Sequence, residues 1–250
     1  MRKFTILLIA LVIGTMAKAQ TDYTKSLSGI EWVKIESKAD ITVKTYNSNE
    51  LLIKASSSVR ATEKSKGLRL VGESGNDNTE VGFYVVQDGN TLLVKNLRKS
   101  ESAEIYLPKN QNVSVKSTWN GNIEIKGFAG EIEADAQLNG SIVIMDVNGP
   151  VTANTLNGEI TVEFATVKQG SPISIYSTNG AVDVSLPGNT PANLSLGSTN
   201  GDIYTNFDIE REEKDGLKPV TGRKVRASIN KGGVDISLKS TNGNIYLRKL

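Results

Sequence analysis

The sequence predicts an all-β fold: a repetitive parallel β-solenoid, a β-helix-like stack of ~20-residue units with two strands each. Three observations predict it. The dipeptide Asn-Gly recurs at Asn120, Asn139, Asn157, Asn179, Asn200 and Asn242, in steps of 19, 18, 22, 21 and 42 residues. Each copy opens a short run of alternating apolar residues, and a second glycine falls near the middle of most units. A unit this small cannot bury its apolar face alone and buries it by stacking on its neighbours.

Taken in chain order, residues 1–19 read as a signal peptide. Arg2-Lys3 supply the positive start, Phe4 to Ile13 the apolar stretch, and Ala17-Lys18-Ala19 the small-x-small cleavage site before Gln20. The apolar stretch is shorter than the ~20 residues a spanning helix needs. No second stretch of spanning length follows, so the expectation is an exported, soluble mature chain, periplasmic or secreted. The chain has no cysteine, hence no disulfide framework and no lipid-attachment cysteine after the signal.

Residues 20–104 form a β region with a looser period. Strand-like runs lie at Ile30 to Ile35, Asp40 to Tyr46, Leu51 to Ala55, Leu68 to Val71, Val81 to Val86 and Thr91 to Val94. Turn clusters at Ser74 to Asn78 and Asp88 to Asn90 separate some of them. Terminal repeats cap a stack and are atypical for that reason. This region is therefore expected to cap the repeat of 105–250 and to be continuous with it as one domain.

In 105–250 the frame is turn, then strand. Apolar residues stand two and four places after the glycine, as in Ile123/Ile125, Ile142/Ile144, Ile160/Val162, Val182/Val184 and Ile245/Leu247. Alternate positions share one face of a strand. The expected structural turns are Asn120-Gly121, Asn139-Gly140, Asn157-Gly158, Asn179-Gly180, Asn200-Gly201 and Asn242-Gly243, with glycine chosen for positive φ. The last step of 42 reads as two of 21, with Thr221-Gly222 at the skipped position. Gly130, Gly149, Gly170 and Gly233 mark the second corner of a unit. The alternative fold is an antiparallel β meander or sandwich, because Asn-Gly is also a hairpin signal. Phase favours the solenoid: Ser177-Thr178, Ser198-Thr199 and Ser240-Thr241 lead into a main turn, and Ser117-Thr118 does so one residue earlier. The charged stretch Asp208 to Asp215 reads as a solvated loop replacing a second strand.

The composition narrows the chemistry. With no histidine and no cysteine, Ser-His-Asp and Cys-His arrangements are impossible and a zinc site lacks its usual ligands. No phosphate-binding glycine loop is present. Gly232-Gly233-Val234-Asp235 begins like a calcium nonapeptide but lacks its further glycine and its repetition. No metal and no cofactor are therefore expected. Without the signal peptide 26 basic residues face 27 acidic ones, a net charge of −1 with no basic stripe, so nucleic acid is not an expected partner.

Two groups of side chains remain as candidates. Glu159 and Asp202 follow main-turn glycines and Glu131 a mid-unit one, and paired carboxylates can act on sugars. Their column also holds Asn122, Ser141, Ala181 and Asn244, the mixture a solvated corner produces, so no catalytic residue is assigned. Trp119, Tyr204 and Tyr246 are the candidate partner-binding residues. Tyr204 and Tyr246 fall on the face opposite the apolar one, and exposed rings stack on sugars or anchor protein partners.

The segment from about Ile105 onward resembles the bacterial "putative adhesin" family of repeated β-strands, the Toastrack domain. Leu107-Pro108 stands before Val113-Ser114-Val115 and Trp119-Asn120-Gly121-Asn122-Ile123. Leu186-Pro187 stands likewise before Leu194-Ser195-Leu196 and Ser198-Thr199-Asn200-Gly201-Asp202-Ile203. The closing run, Asn230-Lys231-Gly232-Gly233-Val234 through Ser240-Thr241-Asn242-Gly243-Asn244-Ile245, is similar to the family's last strand pair. The resemblance implies an envelope protein and brings no catalytic residues. The expected function is an exported, non-catalytic, adhesin-like binding module with an envelope polysaccharide or protein as partner. The alternatives are a structural or sensory envelope-stress component contacting membrane signalling proteins, and a polysaccharide-active β-helix enzyme.

Overall fold

The computed structural model describes residues 22–54, 63–65, 67–72, 75–211 and 223–250. The signal peptide, Ser74, Thr221-Gly222 and much of the charged stretch after Arg211 lie outside the described residues.

The repeat alternates between two sheets. β10 (Asn112–Ser117), β12 (Ile132–Asn139), β14 (Val151–Asn157), β16 (Ile173–Asn179) and β18 (Ala192–Ser198) belong to an eleven-stranded sheet. β11 (Ile123–Lys126), β13 (Ile142–Val147), β15 (Ile160–Phe164), β17 (Val182–Leu186) and β19 (Ile203–Thr205) belong to a ten-stranded one. Neighbouring coils pair in parallel and in register, for example Ile123 with Ile142 and Ile142 with Ile160. The fold is therefore the predicted stack of two-strand units rather than a meander. In a meander each Asn-Gly would join antiparallel neighbours; here each passes the chain from one sheet to the other.

Burial explains the alternation. Ile123, Ile125, Ile142, Ile144, Ile160, Val162, Val182 and Val184 have almost no exposed surface. Val113, Val115, Ile132, Ala134, Val151 and Ala153 of the other sheet are equally covered. The inward faces form one apolar cluster from Leu27 to Leu247, with Phe128 and Phe164 buried near the second corner. Removing one such side chain to alanine costs roughly 2–5 kcal/mol.

The N-terminal strands join the same sheets, apart from the short pair Val71–Gly72 and Gly75–Asn76, which run antiparallel to each other as a separate two-stranded sheet. They are β1 (Tyr23–Ser26), β2 (Trp32–Ser37), β3 (Ile41–Tyr46), β4 (Glu50–Ile53), β5 (Val71–Gly72), β6 (Gly75–Asn76), β7 (Phe83–Asp88), β8 (Thr91–Asn96) and β9 (Ala103–Pro108). The coil β2–β3 lies against β10–β11, and β8–β9 lies beyond it. Antiparallel β7 covers the edge of β8, while β4 and then β1 cover that of β9.

At the other end the stack departs from chain order, which corrects the reading of the 42-residue step. The last strands are β20 (Glu210–Arg211), β21 (Arg223–Ile229), β22 (Val234–Ser240) and β23 (Ile245–Lys249). β21 folds back antiparallel on the outer edge of β18, with β20 beside it, within the stretch expected to be only a loop. With that edge taken, the chain returns on the inner edge, and β22–β23 slot between β16–β17 and β18–β19. Asn242 thus stands between Asn179 and Asn200, not two steps beyond the latter.

The turn glycines are also chosen for a different reason than expected. None of Gly121, Gly140, Gly158, Gly180, Gly201 and Gly243 has a positive φ. A Cβ on Gly140 would collide with the Gly121 carbonyl oxygen, one on Gly158 with that of Gly140, and one on Gly243 with that of Gly180. Close approach of stacked backbones, not left-handed conformation, excludes a side chain there. Around these glycines run two side-chain ladders. Amides bond along the stack from Asn139 to Asn120, Asn157 to Asn139, Asn179 to Asn157, Asn242 to Asn179 and Asn200 to Asn242. The hydroxyls of Thr155, Ser177, Ser240 and Ser198 donate to the carbonyls of Gly140, Gly158, Gly180 and Gly243 at 2.8–2.9 Å. Each hydroxyl is buried and satisfied, as a polar atom inside a corner must be.

Candidate partner-binding surface

Strand alternation sends every second side chain outward. In the ten-stranded sheet the outward column at the end of the stack reads Asp183, Tyr246, Tyr204 across β17, β23 and β19. Parallel in-register pairing sets the two tyrosines side by side, and their rings stack with centroids 5.3 Å apart and planes at 12°. Tyr204 is half exposed at 49% and sits on β19, the terminal strand of this sheet, while Tyr246 is partly covered. The guanidinium of Arg248 lies 5.4 Å from the Tyr246 ring centre. It is locked there by a two-pronged pair with Asp183, Nε to Oδ1 at 2.8 Å and Nη2 to Oδ2 at 2.8 Å. Hydrogen bonding to Asp183, and then its charge, raise the guanidinium pKa further.

The hydroxyls are fixed as well. Tyr204 donates to Asp202 Oδ2 at 3.2 Å, and Asn244 Nδ2 donates to the Tyr246 hydroxyl at 3.0 Å. Arg248, Tyr246 and Tyr204 therefore form a preorganised row of planar groups on an outer sheet face. Such a row offers contact area at low entropic cost. The sequence reading found the two tyrosines but not Arg248 or Asp183. Their signal is the position one unit apart on outward registers, which becomes visible only once β23 is known to neighbour β17.

Trp119 is not part of this row. It is 58% exposed at the corner between β10 and β11, and its carbonyl accepts the Asn139 N–H at 3.0 Å. Four coil steps separate that corner from β23, about 19 Å at the inter-strand spacing. Leu138 and Leu156, at the equivalent corners of the next two coils, are also exposed, so Trp119 belongs to a different, more apolar rim.

The three carboxylates are not brought together. Glu159 is exposed, Asp202 is half-buried and bonded to Tyr204, and they stand three coil steps apart, about 14 Å. Glu131 occupies the opposite corner, where its N–H donates to Asn112 Oδ1 at 3.0 Å. The separation of about 14 Å between Glu159 and Asp202 exceeds the roughly 5–9.5 Å over which two carboxyl groups cooperate on a glycosidic bond. Asp235, in the calcium-like run, accepts the Asn193 amide at 3.0 Å. Among the described residues no group of three or more acidic, histidine or cysteine side chains could hold a metal, and no helix is long and apolar enough to cross a membrane.

Comparison with known proteins adds the following. The family model described as Toastrack DUF4097 matches residues 136–248, from β12 to β23, so the Toastrack resemblance is shown for this segment. Two solved structures align with most of the chain. One is a "putative cell adhesion protein" from Clostridium sporogenes, 11% identical, with 92% of this chain and 99% of that one covered and a TM-score of 0.45. The other is a "putative adhesin" from Bacteroides fragilis, 12% identical, with 94% and 98% covered and a TM-score of 0.41. No curated protein matches the sequence.

Proposed function

We propose that this protein is an exported, non-catalytic binding module of the cell envelope, which holds a rigid polar β surface toward a polysaccharide or protein partner. The observation that carries the reading is the stacked Tyr204–Tyr246 pair, clamped by Arg248 and Asp183 on an outer sheet face. Two stacked rings held in a fixed outward row offer a partner planar contact area at low entropic cost. Export rests on the signal-like residues 1–19, and the non-catalytic reading on the separation of Glu131, Glu159 and Asp202.

The test is a glycan-array and envelope pull-down screen of the chain beginning at Gln20, beside a folded Tyr204→Ala/Tyr246→Ala variant. A ligand retained by the parent and lost by the variant supports the reading. Turnover of a polysaccharide that stops when one carboxylate is changed to alanine in a folded protein overturns it.

A further inference from the structure

The eleven-stranded sheet carries a second outward feature that the tyrosine row does not use. A shallow groove of about 630 Å³ crosses its middle, spanning the neighbouring strands β10, β12, β14 and β16. In-register pairing lays Lys116, Asp135, Asn154 and Tyr176 across it as one row. A second row, Ser114, Glu133 and Thr152, runs beside the first.

One wall has a local cause. β12 shifts register between Ala136 and Asn139, so Gln137 and Leu138 occupy a corner where β14 has Leu156 alone. A bulge of this kind re-aims the side chains beside it. Gln137 and Leu156 both stand exposed at the groove's edge. Tyr176, 37% exposed, closes one end, its hydroxyl held 3.0 Å from Thr241 Oγ1 and accepting from Thr178 Oγ1 at 3.3 Å.

We propose that this groove binds a neutral, extended polysaccharide chain lying across the strands, about one sugar to a strand. The proposal rests on the binding-module reading but places the glycan on the other sheet. Strands recur every ~4.8 Å, close to the length of one sugar in an extended chain, so the groove repeats its polar groups in step with the ligand. Amides of Gln137 and Asn154 both donate and accept, and the carboxylates of Asp135 and Glu133 accept, which matches neighbouring hydroxyl pairs on a sugar ring. Tyr176 and Leu156 supply apolar surface for the ring's C–H face. Within the groove the charge disfavours acidic polymers, since Lys116 faces both Glu133 and Asp135, while the exposed Lys34 and Lys239 stand one strand beyond its two ends. A peptide strand has no foothold, because β12 and β14 are paired on both sides and offer no free backbone edge.

Neutral glucan, mannan and galactan oligosaccharides of two to eight sugars, with polygalacturonate as the acidic probe, are titrated calorimetrically into the chain beginning at Gln20. At least one neutral series should bind, with affinity rising to about four sugars and then levelling, and polygalacturonate should bind at least tenfold more weakly. Asn154→Ala/Gln137→Ala, two exposed positions, should lower that affinity at least tenfold, whereas Glu124→Ala, exposed on the ten-stranded sheet, should leave it within twofold. No binding in any neutral series, a preference for polygalacturonate, or unchanged affinity in the Asn154→Ala/Gln137→Ala protein overturns the proposal. Loss through Tyr204→Ala with the groove variant unaffected also overturns it, while leaving the tyrosine row standing as the binding site.

Discussion

The side-chain amide of Asn242 donates to Asn179 Oδ1 at 2.7 Å, although 63 positions separate the two residues in the chain. Asn242 in turn accepts from Asn200 at 2.8 Å, so the last turn in sequence is the penultimate rung of the ladder. A single column of amides thus ties the interleaved end of the stack to its middle.

Ladder position should set the cost of removing an amide. Asn179→Ala loses bonds to Asn157 and from Asn242, whereas Asn200→Ala loses the one it donates to Asn242. At about 1 kcal/mol net per bond the former should cost about twice the latter. Urea midpoints of the two variants, with unchanged slopes, test the ratio; equal losses would show that the amides do not act as a ladder.

The turn glycines should reject even alanine. A Cβ on Gly180 meets the Gly158 carbonyl, so Gly180→Ala should cost roughly 1–3 kcal/mol by overpacking. Gly201→Val should be destabilising on the same ground, through the Gly243 carbonyl rather than through φ. Thermal melts compared with Asp202→Ala, which adds no atom near a carbonyl, would separate this effect from general corner sensitivity.

Acid should weaken a contact at the N-terminal end. Glu104 Oε1 accepts from the Tyr106 hydroxyl at 2.8 Å and from Lys44 at 3.0 Å. The Tyr106 bond, and then Lys44, hold the Glu104 pKa below the usual carboxylate value, while Glu104 raises that of Lys44. A lowered folded-state pKa gives stability that is complete above the unfolded carboxylate value and is lost as pH falls through the folded one. The pair is partly solvated, so its worth stays within about 1 kcal/mol. Glu104→Gln should flatten the fall in stability between neutral pH and pH 3, and an unaltered acid limb would contradict the assignment.

Ligand binding should depend on rings and not on corner carboxylates. For a partner held at the tyrosine row, Tyr204→Ala or Tyr246→Ala should cost ~2 kcal/mol of affinity, about thirtyfold. Trp119→Ala, on its separate rim, should act independently of both, and Glu131→Ala and Glu159→Ala should each be near neutral. Circular dichroism of every variant guards against loss through misfolding.

Processing is checked directly. Mass spectrometry of the protein recovered from the periplasm or medium should find Gln20 as the first residue; intact Met1 in the cytosolic fraction would refute export.

Much of this architecture is legible from local chemistry. Ile142-Val143-Ile144 after Asn139-Gly140 alternates because one face of its strand is buried, and that pattern survives translation into any stack. The shift from a Ser117–Asn120 spacing of three to a Ser177–Asn179 spacing of two even marks the region where the register breaks and the groove opens. What the reading missed lay in neighbours remote in the chain. Arg248 and Asp183 are 65 positions apart, and no local spacing predicts their ion pair.

The sequence by itself determined the period, the two-strand unit, the buried columns and the absence of histidine and cysteine chemistry, because each follows from composition or from alternation within a few residues. The tertiary structure alone decided the order of the coils, the reason for the glycines and the grouping of Tyr204, Tyr246 and Arg248. Parallel pairing offers every strand two similar edges, and period does not say which later strand takes the inner one. That choice was made where β21 covered the outer edge of β18 and left β22 only the other.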